Sequence, residues 1–153
     1  MQDLFITFLA SFLIWFMFAG LFVLWVIDGK IKKEQVLHAL LATGIAWVLA
    51  ELIKSAYPTV RPFVLDGTIP MVIMPGTDGA FPSAHAAAAF ALGTTIWLHD
   101  KKVGAIFLIA AFIVGVARVV GNVHYPIDII GGAVIGVVVA FLSEKVHLRK
   151  LTP

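Results

Sequence analysis

Hydrophobic positions along this chain fall into long runs rather than into the one-sided stripes of a water-soluble helix bundle. Leu4 to Ile27 carries no charge, which exceeds the roughly 20 helical residues needed to cross the ~30 Å hydrocarbon core of a bilayer. Asp28, Gly29, Lys30, Lys32, Lys33 and Glu34 end it. Met1 to Asp3 add no basic flank, and the run is longer than the 7–15-residue core of a secretory signal, so a retained span is expected. Val36 to Ile53 is a second run, with His38 and Glu51 near its ends and Lys54 directly after it. Ser55 to Pro82 then reads as loop: it holds Pro58, Pro62, Pro70, Pro75 and Pro82, five of the seven prolines, together with Gly67, Gly76 and Gly79. A third helix fits Ser83 to Leu98, closed by Asp100, Lys101 and Lys102. A fourth fits Val103 to Val120, interrupted by Arg118, and a fifth runs from Pro126 to Leu142 before the polar tail Ser143 to Pro153. The pattern predicts one all-α domain over 1–153. It is a polytopic membrane helical bundle of about five transmembrane helices with a Pro/Gly-rich extracytoplasmic loop.

Composition strengthens that reading. Of the 153 residues, 61% are hydrophobic and 13% charged, against about 45–50% and about 25% in ordinary globular chains. This excludes a soluble globular, disordered or collagen-like chain. Cysteine is absent, which removes disulfides and thiolate metal sites. The net charge is +2, from 11 basic and 9 acidic residues, so position matters more than total. Lys30, Lys32, Lys33, Lys101, Lys102, Lys145, Arg149 and Lys150 share one face. The excess of basic residues in cytoplasmic loops makes that face the inner one. The N-terminus is then expected outside the cell (plasma or inner) membrane and the C-terminus in the cytoplasm. Trp25 and Trp97 at one boundary, and Tyr57 and Tyr125 at the other, suit interfacial belts.

Three cations break the orientation rule: Lys54, Arg61 and Arg118 fall at the outer face with His85, His124, Asp128 and the Pro-rich loop. A charge at membrane depth costs about 2.5 kcal/mol or more at a helix centre and is usually kept for function. All these residues lie at outer helix ends, where sequence-distant groups can converge. Arg offers a planar fork matched to phosphate oxygens and Lys a compact charge. Ser83 after Pro82 suits a helix start, where free N–H groups favour an anion. His124 and Asp128 are four apart with Pro126 between them, so the carboxylate can fix one ring nitrogen and leave the other as nucleophile or base. His85 supplies a second proton-handling group.

The spacing resembles a known family. Lys54 to Pro62 matches KxxxxxxRP, Pro82 to His85 resembles PSGH, and Ala117 to Asp128 resembles SRxxxxxHxxxD. In that order these are the three signatures of the type 2 phosphatidic acid phosphatase (PAP2) superfamily of helical membrane phosphatases. The resemblance implies a lipid phosphatase working without metal or cofactor. His124 attacks phosphorus to form a phosphohistidine, Asp128 orients it, and His85 protonates the leaving oxygen and later activates water. Lys54, Arg61, Ser83 and Arg118 hold the phosphate oxygens. The expected partners are a lipid phosphate or diphosphate and the membrane, with undecaprenyl diphosphate as first choice and no nucleic acid. Oligomeric state is not read from the sequence. Ala84 and Ala117 stand where the family usually has Gly and Ser, and five spans are seen where many bacterial members have six.

A transporter or channel component, or a non-catalytic membrane subunit, is the alternative; it explains intramembrane charge but not the motif spacing. Elsewhere the expectations are structural. Glu51 should pair with Lys54, and Gly132, Gly136 and Ala86 to Ala89 should serve close helix packing. His38, His99 and His147 should be interfacial or solvated, and Asp66 and Asp78 ordinary loop carboxylates.

Overall fold

The computed structural model describes residues 2–27 and 33–145. Its helices are α1 (Gln2–Ile27), α2 (Lys33–Ala56), α3 (Pro62–Asp66), α4 (Ala84–His99), α5 (Lys101–Val120) and α6 (Pro126–Ser143). Among the described residues there is no strand. The five long helices coincide with the five predicted runs. The second extends beyond the expected 36–53 at both ends, because Lys33 still belongs to its first turn and Lys54 to its last. The short α3 was not expected within the Pro-rich stretch. Pro62 at its first position presets the helical φ, and Gly67 at φ 68° ends it in the left-handed region.

Among the described residues, four helices, over Leu4–Val26, Gln35–Ala56, Lys101–Val120 and Pro126–Ser143, are long and apolar enough to cross a membrane. The fifth, α4, has 16 residues, which at 1.5 Å each give about 24 Å, short of the ~30 Å core. It is the central helix, with 11 of its 16 residues buried. Large side chains such as Phe5, Trp15, Ile106, Phe112 and Val134 are exposed around it on α1, α5 and α6, as a lipid-facing surface requires. The chain is an all-helical, multi-pass membrane bundle.

Small side chains set how closely the helices approach, because apolar burial gives little net attraction between helices already in lipid. Ala42, Ala46 and Ala50 repeat every four residues on α2 and pack with Ala84, Ala87 and Ala91 of α4. Ala84 therefore spends its methyl group in the α2–α4 seam. Beside α2, α6 lies almost backbone to backbone on α4: a Cβ at Gly136 would meet the Ala87 carbonyl, Ala91 N and Phe90 Cβ, and one at Gly132 would meet Ser83 O and Ala86 Cβ. Both close-packing expectations hold. From α1, Ile14, Met17 and Leu21 join Phe107, Ala111 and Val114 of α5 and Leu92 and Ile96 of α4.

The end of the bundle away from Ser83 corrects one expectation. His38 is only 5% exposed, and its ring stacks at 6.3 Å on that of His99. His99 Nε2 lies 2.8 Å from Glu144 Oε1, and His38 Nδ1 lies 4.0 Å from the same oxygen. α2, α4 and α6 thus meet at a histidine–carboxylate cluster, because the three ends that carry these residues coincide. His147, Lys30, Lys32, Arg149 and Lys150 lie outside the described residues.

The α4–α6 contact makes a direct prediction. Gly136→Val should cost about 1–3 kcal/mol through overpacking, lowering the thermal midpoint in detergent by roughly 2–4 °C per kcal/mol. An unchanged midpoint would show that α6 does not rest on the α4 backbone.

Candidate active site

Ends of α2, α4, α5 and α6 meet on one side of the bundle, and hydrogen bonds between chain segments stitch the three motifs together. Arg61 Nη1 donates to Val123 O at 3.2 Å, linking the first motif to the residue before His124. Ser83 N donates to Asp128 O at 3.0 Å, linking the second to the third. Phe63 N donates to Asn122 O at 3.2 Å, and Asn122 Nδ2 donates to Asp66 Oδ2 at 2.7 Å. Asn122 adopts φ 59°, a left-handed conformation that asparagine tolerates better than most residues. Asp66 also accepts from Thr68 N and Thr68 Oγ1, so it is a fastening of the loop to the α5–α6 turn.

His124 precedes α6 and Asp128 lies in its first turn. Asp128 Oδ2 accepts from Tyr125 N at 2.8 Å, capping the helix, and lies 3.4 Å from His124 Nδ1. Both side chains are 2% exposed. Against a carboxylate, which only accepts, Nδ1 is the protonated nitrogen, leaving the Nε2 lone pair free. Burial pushes the His124 ring below its usual value to about 4, outweighing the opposing hydrogen bond that the ring donates to Asp128, and the Arg118 and Arg61 charges add to the fall. His124 is therefore a neutral, oriented imidazole near neutral pH.

The other expected residues gather here too. Ser83 caps α4, its Oγ accepting from Ala86 N at 3.4 Å, and is fully buried. His85 lies in the first turn of α4 with its ring 5.3 Å from that of Trp47, within electrostatic reach of Arg118, His124, Lys54 and Arg61. Arg118, 5% exposed, donates from Nη1 to Ala10 O of α1 at 3.2 Å, while its buried Nε has no partner among the described residues. Ala117 packs with Ala10, Val72 and Val123, where its methyl group fills the apolar contact beneath Arg118. His85 and Arg118 open onto a cavity of about 370 Å³ whose other walls include Phe12, Trp15, Trp47 and Met74. The cavity is polar at the site and aromatic toward α1 and α2.

Lys54 pairs with Glu51 at 2.8 Å, as expected. Asp78, expected to be an ordinary loop carboxylate, is not: its Oδ2 lies 2.9 Å from Lys54 Nζ and its Oδ1 2.8 Å from Arg61 Nη2. Its own carbonyl accepts from Arg61 Nε at 3.0 Å. Partial burial works to raise its pKa, but the hydrogen bonds and charges of Lys54 and Arg61 prevail and hold it at about 2. Sequence spacing gave no sign of this, since Asp78 stands 24 residues from Lys54 in a segment of loop composition.

Similarity to known proteins follows the same residues. The PAP2 superfamily model matches residues 35–151. The chain is 33% identical over 135 residues to the bacitracin transport permease protein BcrC of Bacillus licheniformis, covering 88% of this chain and 66% of the relative. It is 32% identical over 123 residues to the undecaprenyl-diphosphatase BcrC of Bacillus subtilis, covering 80% and 63%. The chain thus spans just under two thirds of the length of these relatives. The crystal structure of Aquifex aeolicus LpxE superposes with a TM-score of 0.79 at 30% identity, over 95% of this chain and 86% of that one. A PAP2-type phosphatidylglycerolphosphate phosphatase from Bacillus subtilis gives a TM-score of 0.59 at 26% identity, over 86% and 65%. Three motifs brought to one end of a helical membrane bundle, and a family match running through all of them, place the chain in the PAP2 superfamily.

Proposed function

We propose that this protein is an integral-membrane lipid phosphatase that removes the terminal phosphate of a lipid diphosphate, with undecaprenyl diphosphate as its substrate, through a phosphohistidine at His124. The observation that carries the reading is the buried His124–Asp128 pair beside a cavity that ends on His85 and Arg118. Undecaprenyl-diphosphatase is the name borne by the Bacillus subtilis relative and by one from Sulfolobus acidocaldarius, 32% identical over 104 residues.

In the first step His124 Nε2 attacks the terminal phosphorus, the bond from phosphorus to the bridging oxygen breaks, and His85 gives that oxygen a proton. Asp128 holds Nδ1–H and steadies the positive charge that develops on the ring. In the second step His85 takes a proton from water, the water oxygen attacks phosphorus, and the N–P bond breaks to release inorganic phosphate. Lys54, Arg61, Arg118 and the Ser83 end of α4 stabilise the negative charge gathering on the phosphate oxygens. Donors fixed in advance at such positions contribute most where water is excluded. The aromatic walls formed by Phe12, Trp15 and Trp47 suit an isoprenoid tail that stays in the bilayer while its head reaches His85. A transporter would also need intramembrane charge, but it has no use for an imidazole held in one tautomer by a helix-capping carboxylate.

The site is assigned to the extracytoplasmic face. Lys101 and Lys102 begin α5 and Lys145 follows α6, all at the end opposite the site, and basic loops favour the cytoplasm. With Thr77→Cys in this cysteine-free chain, an impermeant maleimide should label intact cells, and with Lys101→Cys it should not; the reverse pattern would put the chemistry inside.

Detergent-purified protein in excess chelator should release phosphate from undecaprenyl diphosphate faster than from phosphatidic acid or phosphatidylglycerol phosphate. His124→Ala should lower the rate by about 10³-fold or more, as for loss of a nucleophile. Equal release by both proteins from every lipid would end the enzyme reading. The pH profile gives a further check: the attacking ring must be neutral, and His124 is neutral above about pH 4. The acid limb that His124 adds to kcat/KM, which reports free enzyme and free substrate, should therefore fall near pH 4, below the limb at about 6 from the terminal phosphate itself. A His124 ring that protonates near 6.5 in an NMR titration, the value of free imidazole, would mean that it is not desolvated as described.

A further inference from the structure

Lys54 and Arg61 are 5% and 4% exposed, and both cations are already held by partners inside the protein. Lys54 Nζ is shared between Glu51 and Asp78, while Arg61 spends Nε on Asp78 O, Nη1 on Val123 O and Nη2 on Asp78 Oδ1. The Asp78 carboxylate holds one oxygen to each cation, as two oxygens of a phosphate would. Arg118 is the contrast: its Nε is buried with no partner among the described residues, and its side chain lines the cavity, which Lys54 and Arg61 do not. One half of the phosphate-holding set is thus open, and the other half is turned toward an internal anion.

Asp78 also has room to leave. Its side chain is 44% exposed, and with Thr59, Arg61 and Pro75 it lines an outer groove of about 440 Å³. Its neighbours are fastened instead: Ala80 N donates to Thr59 O at 3.0 Å and Phe81 N to Thr59 Oγ1 at 2.8 Å. The turn before Asp78 is built around the carboxylate, since a Cβ on Gly76 would press on both Asp78 Oδ1 and Arg61 Nη2.

Resting on the phosphatase reading above, we infer that Asp78 is a resident competitor for the phosphate seat: incoming phosphate displaces its carboxylate from Lys54 and Arg61, and its return helps to expel inorganic phosphate. A carboxylate carries one negative charge and a terminal phosphate close to two at neutral pH, so the exchange favours phosphate. The empty seat meanwhile keeps its two buried cations paired, which avoids the cost of leaving a buried charge uncompensated. The apparent affinity for any phosphate is lowered by the fraction of time that the carboxylate holds the seat.

Two measurements test this. The first is the inhibition constant of inorganic phosphate against hydrolysis of the lipid substrate, followed by loss of the phosphorylated lipid. Asp78→Asn should lower it about tenfold if the carboxylate holds the seat ~90% of the time. A constant that is unchanged or higher would make Asp78 a fixed support for the two cations and overturn the inference. The second needs no change at Asp78: a nitroxide on Thr77→Cys should become more mobile on saturation with inorganic phosphate. In the Thr77→Cys, Asp78→Asn double variant it should be mobile from the start. A label indifferent to phosphate with Asp78 in place would also overturn the inference. Hydrolysis by the unaltered protein separates the two ideas. If it cleaves lipid phosphate and the label stays still, the phosphatase reading stands and the role of Asp78 falls. If it cleaves none, the phosphatase reading falls, and the label still decides whether phosphate displaces Asp78.

Discussion

Three cations buried at one end of a membrane bundle are the constraint on which the rest of this structure depends. Lys54, Arg61 and Arg118 are each no more than 5% exposed, and a buried charge without compensation costs several kcal/mol. Each therefore has an acceptor within the protein: the Val123 carbonyl for Arg61, the Ala10 carbonyl for Arg118, and Glu51 on the same helix for Lys54. Those partners come from the α5–α6 turn, from the body of α1 and from α2 itself, which ties three separate segments to the site. The order of helices and the spacing of motifs are two expressions of one electrostatic demand.

Bringing four helix ends together requires that the helices approach closely, and the small residues supply that. α4 carries alanine toward α2 and receives glycine from α6, so Ser83 and His85 sit beside the turn bearing His124 without bulky side chains intervening. Ala84 shows how packing and chemistry share a position. The usual glycine would spare one methyl group, but here the methyl joins the alanine seam.

Much of this was legible in the sequence because membranes simplify the code: long apolar runs mark helices, and charges that break them mark the site. The seven residues of the expected site gather at one end of the bundle, and Glu51 pairs with Lys54 as its i,i+3 spacing implies. What escaped notice depends on tertiary placement. Asp78 looks like any loop carboxylate until the chain folds the segment after α3 back over Lys54. His38 looks interfacial until three helix ends close around it, with His99 and Glu144 beside it. Asp66 appears isolated until Asn122, 56 residues away, donates to it. Periodicity reports one helix at a time, whereas these contacts join segments that share no local pattern.

The shortness of α4 has one more implication. A helix of about 24 Å at the centre of a slab about 30 Å thick leaves its ends sunken by a few ångströms below one or both surfaces. At the site, the Ser83 end of α4 lies level with the first turn of α6, to which Ser83 N bonds through Asp128 O. Under the proposed phosphatase reading, a lipid headgroup meets His85 without its tail being drawn out of the hydrocarbon, and the desolvation of that tail need not be undone. On the same reading it is water that makes the journey, descending to the site to finish the reaction.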